Sequence, residues 1–93
     1  DHACFMMDEM LAPFITRWRN MGYDVIVTAD HGQDARGHHG GTDPLQTDVA
    51  LYYFGDASGI DQTEPLCQLQ FAPTVLNLLG AECPKTMRAK PFL

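Results

Sequence analysis

Tyr23-Asp24-Val25-Ile26-Val27-Thr28-Ala29-Asp30-His31-Gly32 is the stretch on which the reading of this chain turns. Residues 23–29 form a short apolar run rich in β-branched side chains. That composition suits a strand buried on both faces, as in a parallel sheet. The run gives out at Asp30 and His31, so a carboxylate and an imidazole fall at the carboxyl end of the strand. Ligands of open α/β sheets bind at that edge. Carboxylate and imidazole together suit Zn²⁺ or Mn²⁺. Gly32 then lets the backbone turn away, so that two adjacent side chains can converge on one ion. The same three residues also describe a plain turn with an exposed histidine, and their spacing leaves both readings open.

Upstream, Met7, Leu11, Phe14, Trp18 and Met21 recur at helical spacing, which predicts a helix over 3–21. Arg17 and Arg19 suit its C-terminal dipole, and Gly22 is a natural stop. Pro13 removes a backbone donor and predicts a kink or a second start near Ala12. The apolar stripe could line a ligand groove, but packing against a sheet is the simpler reading. A helix running straight into a strand over 23–29 is half of a βαβ unit and places the chain in the α/β class.

Downstream, residues 30–47 turn polar and glycine-rich, and long loops inside compact domains usually carry function. They contain a second histidine motif, Gly37-His38-His39-Gly40-Gly41. Flanking glycines allow backbone to approach a ligand closely; a solvated histidine loop is the alternative. Residues 49–54 predict a second strand and 56–65 another loop. Leu66–Phe71 alternates weakly, as a short strand or an extended lead-in. Residues 72–79 predict a helix with Pro73 in its first turn and Gly80 as its stop. Residues 81–93 form a tail without period.

Composition narrows the function. The 93 residues fit one small domain, with 45% hydrophobic and 19% charged residues, a globular balance. Six Lys and Arg against twelve Asp and Glu leave a net charge of −6, which argues against a nucleic-acid polymer as partner. A small anionic substrate stays open, because a bound metal ion can outweigh the global field. No apolar run approaches the ~20 residues of a membrane span. Cys4, Cys67 and Cys83 form neither a disulfide framework nor a zinc-type pair and read as free thiols, which fits a reducing, cytoplasmic setting.

Val25-Ile26-Val27-Thr28-Ala29-Asp30-His31-Gly32, His39-Gly40-Gly41 and Val49-Ala50-Leu51 with Gly55 together resemble the C-terminal part of the alkaline phosphatase superfamily. The branch most similar is that of type I phosphodiesterases and nucleotide pyrophosphatases. Phe71-Ala72-Pro73-Thr74-Val75-Leu76, Leu79-Gly80, Pro84 and Met87 resemble the terminal helix and tail of that group and of sulfatases. The resemblance implies an α/β/α sandwich with a mostly parallel sheet. It implies a phosphoric ester hydrolase with two divalent metal ions, Zn or Mn. Asp30 and His31 would hold the metal that binds the nucleophile's oxygen, and His39 would serve the second metal. Gly32, His38, Gly40 and Thr42 would lie near the substrate or behind the ligands. Two metals ~4 Å apart stabilise both apical oxygens of an in-line displacement at phosphorus. A Thr or Ser attacks, and water resolves the phospho-enzyme.

The family also carries a strand-end Asp, the Thr or Ser nucleophile and an Asp-x-x-x-His pair upstream of Asp-His-Gly. None matches here: Asp1 and His2 are adjacent, Thr28 lies inside the strand and Thr42 in the loop. Ala50 stands where proline is common, and Gln33 where methionine or asparagine is. The expectation is therefore the C-terminal portion of a larger enzyme, inactive alone, with a small phosphorylated substrate. Its sheet edges would be open to homo-oligomer pairing. A sulfatase-like hydrolase fragment is one alternative. A non-catalytic metal-binding or interaction module is another. Phosphoglycerate mutase-like isomerases share Asp-His-Gly, but their later histidine follows at a wider interval.

Overall fold

A computed structural model describes residues 1–60 and 63–93. In chain order these form helix α1 (His2–Asn20), strand β1 (Val25–Thr28), helix α2 (Pro44–Thr47), strand β2 (Leu51–Phe54), a 3₁₀ turn over Gln68–Gln70 and helix α3 (Phe71–Leu78). They fall into two compact units, Asp1–Gly55 and Asp56–Leu93. The loop expected over 56–65 includes residues 61 and 62, which lie outside the described residues.

In the first unit, the Asp1 carboxylate caps α1 by accepting from the Ala3 N–H at 2.8 Å. The helix runs unbroken through Pro13, so the expected restart near Ala12 does not occur. At its end Gly22 takes a positive φ of 90°. The Gly22 N–H then reaches the Arg19 carbonyl, and the Tyr23 N–H reaches the Trp18 carbonyl, each at 3.0 Å. This crossed pair satisfies carbonyls that the last turn would leave orphaned. Arg19 donates to the Tyr23 carbonyl at 2.7 Å and to the Asp24 carboxylate at 2.6 Å. Tyr53 donates to the other Asp24 oxygen at 2.8 Å, so one carboxylate links α1, β1 and β2.

The strands pair antiparallel, Val25 opposite Phe54 and Thr28 opposite Leu51. The expectation of a mostly parallel sheet is corrected for this pair. The reason lies in the connection. It doubles back, with the Gly32 N–H on the Gln46 carbonyl at 2.9 Å and the Thr28 hydroxyl on the Ala50 carbonyl at 2.9 Å. The chain thus re-enters beside the end of β1 it has just left. Both strands are shorter than the spans expected over 23–29 and 49–54, and residues 30–47 are not all loop, since they include α2. A Pro at the first helical position with Asp43 capping ahead of it explains that turn.

Burial also differs from expectation. Val25, Ile26 and Val27 are half-buried and Thr28 is exposed, where burial on both faces was expected. Along α1 Leu11 is half-buried, while Met7, Phe14, Trp18 and Met21 stay exposed. A 19-residue helix is about 28 Å long. A four-residue strand covers only about 13 Å. Two such strands cannot roof the whole stripe, and Phe14 packs instead on Trp18, ring centroids 5.7 Å apart.

In the second unit, the expected strand or lead-in at Leu66–Phe71 is a 3₁₀ turn, because the Gln70 side chain accepts from the Cys67 N–H at 2.8 Å and curls the backbone. Helix α3 begins one residue earlier than expected and stops at Gly80, whose φ is +69°. Thr74 and Pro73 are fully buried, and Phe92 is buried. Thr74 donates to the Gln70 carbonyl at 2.6 Å and accepts from the Phe92 N–H at 3.0 Å. Asn77 donates to the Leu93 carbonyl at 2.6 Å, so the tail is strapped to α3. The cysteines are all free. No described helix is long and apolar enough to cross a membrane.

Candidate metal centre

All the candidate residues lie on the connection between β1 and β2. Asp30 and His31 follow the end of β1 after one residue, Ala29. The His31 N–H donates to the Asp30 carboxylate at 3.0 Å. The His31 Nδ1 lies 2.8 Å from the Gly32 carbonyl. A carbonyl only accepts, so this bond assigns the proton to Nδ1 and leaves the lone pair of the neutral ring on Nε2. That Nε2 is 3.6 Å from the Asp30 Oδ1.

The separation bears on whether the pair fits a metal. Two donors each about 2.0–2.1 Å from one Zn²⁺ at a tetrahedral angle lie about 3.4 Å apart. Asp30 and His31 are therefore spaced as neighbours on one ion would be. Their side chains are 88% and 42% exposed, so an ion could reach them. By donor chemistry and by spacing, this pair fits a divalent metal.

His39 lies against His31. The rings stack with centroids 4.2 Å apart and planes tilted by 30°. Imidazole lone pairs lie in the ring plane. Planes tilted that little meet well beyond a metal–nitrogen bond of about 2.0–2.1 Å, so the two rings do not converge on a shared ion. Correspondingly, no group of three or more His, Cys, Asp or Glu side chains gathers on one point among the described residues.

His38 turns elsewhere. Its Nδ1 is 3.6 Å from the Asp34 carboxylate, and its ring is 69% exposed. Gly40 beside His39 has a φ of +89°. Thr42 is exposed in the same loop, ahead of α2. Gly32, expected to let the backbone turn away, sits where the chain is crowded. It makes a close approach, and a Cβ there would run into the carbonyls of Leu45 and Asp48.

Asp34 was not singled out by the sequence reading. Its Oδ1 accepts from the Arg36 N–H at 2.9 Å and the His38 N–H at 2.8 Å, and its Oδ2 from the Gln46 side chain at 3.0 Å. The His38 amide, against the opposing effect of burial, holds the Asp34 carboxyl below its ordinary range, helped by Arg36, Gln46 and Gly37. The missed signal was Asp34-Ala35-Arg36-Gly37, with Asp and Gly at the first and fourth places of a turn.

Comparison with known proteins adds the family context. The chain is 31% identical to a 2,3-bisphosphoglycerate-independent phosphoglycerate mutase of Sulfurimonas denitrificans, over 87% of this chain and 17% of that protein. It is 29% identical to the human GPI ethanolamine phosphate transferase 3, catalytic subunit, over 84% of this chain and 8% of that protein. The similarity supports the alkaline phosphatase superfamily. A mutase of Aeromonas salmonicida is 29% identical over 98% of this chain and 18% of its own length. The chain thus spans less than a fifth of each of these relatives. No family model matches it. No solved structure matches it either. The relatives from this superfamily are phosphoryl-transferring enzymes, which is the functional class they support.

Proposed function

We propose that this chain is the metal-binding C-terminal part of a dinuclear phosphoryl-transfer enzyme, with Asp30 and His31 on one divalent ion and His39 on a second. The observation that carries the reading is the stacked His31–His39 pair, adjacent yet not convergent. Two such rings serve two neighbouring ions better than one. The ions, Zn²⁺ or Mn²⁺, would lower the pKa of the attacking oxygen and neutralise the transferring group. The part of this chain is to present the ligands at the end of β1 and to fix His31 in the tautomer that leaves Nε2 open. The nucleophile and the remaining ligands belong to sequence that this chain does not contain. The same wider protein would complete an α/β/α sandwich around the pair of strands.

Within the superfamily we infer a hydrolase of phosphodiesters or phosphomonoesters, of the phosphodiesterase and nucleotide pyrophosphatase type. The short interval from His31 to His39 favours it. The substrate would be a small phosphorylated molecule rather than a nucleic-acid polymer, consistent with the net charge of −6. A mutase is the second reading, favoured by the 31% identity to the Sulfurimonas protein.

The test uses the polypeptide at its natural length, with zinc or manganese. It is assayed on a nitrophenyl phosphodiester, on a nitrophenyl phosphomonoester and for interconversion of phosphoglycerates. Hydrolysis of either ester is expected, and phosphoglycerate interconversion would instead select the mutase. Asp30→Ala and His31→Ala should each lose activity and bound metal. Full activity in both variants would overturn the metal reading.

A further inference from the structure

The two imidazoles that matter lie on separate arms of the loop, and one bracket ties both arms. On the first arm, Gly32 follows His31 and donates its N–H to the Gln46 carbonyl at 2.9 Å. On the second arm, His38 precedes His39 and donates its N–H to the Asp34 carboxylate at 2.8 Å. Between them, the Gln46 side chain donates to the other Asp34 oxygen at 3.0 Å. The Asp34 backbone closes the same turn. Its N–H reaches the His38 carbonyl and its carbonyl accepts from the Gly37 N–H, each at 3.0 Å. Asp34 is half-buried in the turn it closes.

We propose that Asp34 is a positioning residue, which through Gln46 sets the spacing of His39 from His31 before any ion is bound. The proposal rests on the metal reading for its purpose, though not for its geometry. A carboxylate is needed because the position has three donors to satisfy and no donor of its own to place. Residues that orient metal ligands without touching the metal affect affinity nearly as strongly as some ligands do.

The test is made on the polypeptide at its natural length, with the histidine rings isotopically labelled. Without metal, a through-space contact between the His31 and His39 ring protons is expected. Asp34→Ala should abolish that contact well below its melting temperature and raise the zinc concentration for half-saturation about tenfold or more. Asp34→Asn keeps an acceptor for the Arg36 and His38 amides but sets an NH2 donor against the Gln46 NH2, so it should break the link through Gln46 and weaken both the contact and the zinc response. Were Asp34→Ala not to fold, Asp34→Glu replaces it. The longer side chain overshoots the turn and should also lose the contact. A ring contact that persists in the folded Ala or Glu variant overturns the proposal, whatever the melting temperature does. His31→Ala separates the two ideas. If its zinc response is undiminished, the metal reading fails, and the ring contact in the Asp34 variants still decides the positioning role.

Discussion

No residue of Asp1–Gly55 is buried, whereas Asp56–Leu93 contains Pro73, Thr74 and Phe92, the buried residues among those described. The second unit closes a small core around a hydroxyl. Thr74 has both of its hydrogen-bonding roles filled, one by the helix below it and one by the tail. The first unit carries the candidate ligands and stays open, with Phe14 and Met21 51% and 61% exposed. Its loop is held by a carboxylate and by backbone bonds instead of by apolar packing. Ligands that must meet an ion and a substrate have to stay accessible, and order without burial then comes from hydrogen bonds that cap a turn.

The contrast is broken most easily at Thr74. Thr74→Val keeps the shape and removes the acceptor for the Phe92 N–H, leaving that buried donor unsatisfied. A loss of about 2 kcal/mol in unfolding free energy is expected, read from denaturant midpoints. An unchanged midpoint would mean that apolar contact alone holds the tail to α3.

A smaller effect is expected at Gly32. Gly32→Ala pushes a methyl group against the carbonyls of Leu45 and Asp48. Both contacts are backbone atoms rather than flexible side-chain ends, so the α2 segment itself has to move, and the cost should be about 1–2 kcal/mol, within the range for overpacking. The signature is local: the Gly32 amide should lose its protection from hydrogen exchange, because its bond to Gln46 lengthens. Retained protection would show that the close approach is not rigid, and the claim that this loop is ordered by backbone bonds would weaken.

Several local elements of the fold were legible in the sequence, and the contrast in burial was not, for physical reasons. The β-branched run at Val25–Val27 and the stops at Gly22 and Gly80 are local signals, and each stands where expected. Strand direction is not local. It depends on Gly32 meeting Gln46 and Thr28 meeting Ala50, contacts fourteen and twenty-two residues apart that no periodicity encodes. The α1 stripe shows which side chains share a face but cannot say what covers it. The 3₁₀ turn before α3 depends on one Gln70 side chain reaching back to Cys67. At the candidate site, the chemistry of Asp30, His31 and His39 is what singles them out as candidates. Their spacing could not show that two rings eight residues apart stack, because that follows from how Asp34 closes its turn.

Acidification tests that last point without a mutation. The Asp34 carboxyl is held below its ordinary value of 3.8, first by the His38 amide, with burial opposing and the remaining donors assisting. A carboxyl lowered by folding stabilises the folded turn fully above its unfolded pKa, and that contribution disappears as the pH falls through the lower folded value. Between neutrality and about pH 5, Asp34 should therefore change nothing. Below the ordinary value, the protonating carboxyl should release the Arg36 and His38 amides together. Asp56, at the start of the second unit, is lowered likewise by the amide and hydroxyl of Ser58, so low pH alone does not single out the loop. The discriminating measurement is a carboxyl-carbon NMR titration read alongside the amide shifts. The His38 amide should follow the Asp34 midpoint and the Ser58 amide that of Asp56. A midpoint for Asp34 at or above 3.8, or a His38 amide indifferent to it, would leave the loop without its organising carboxylate and reduce the contrast between the units to burial alone.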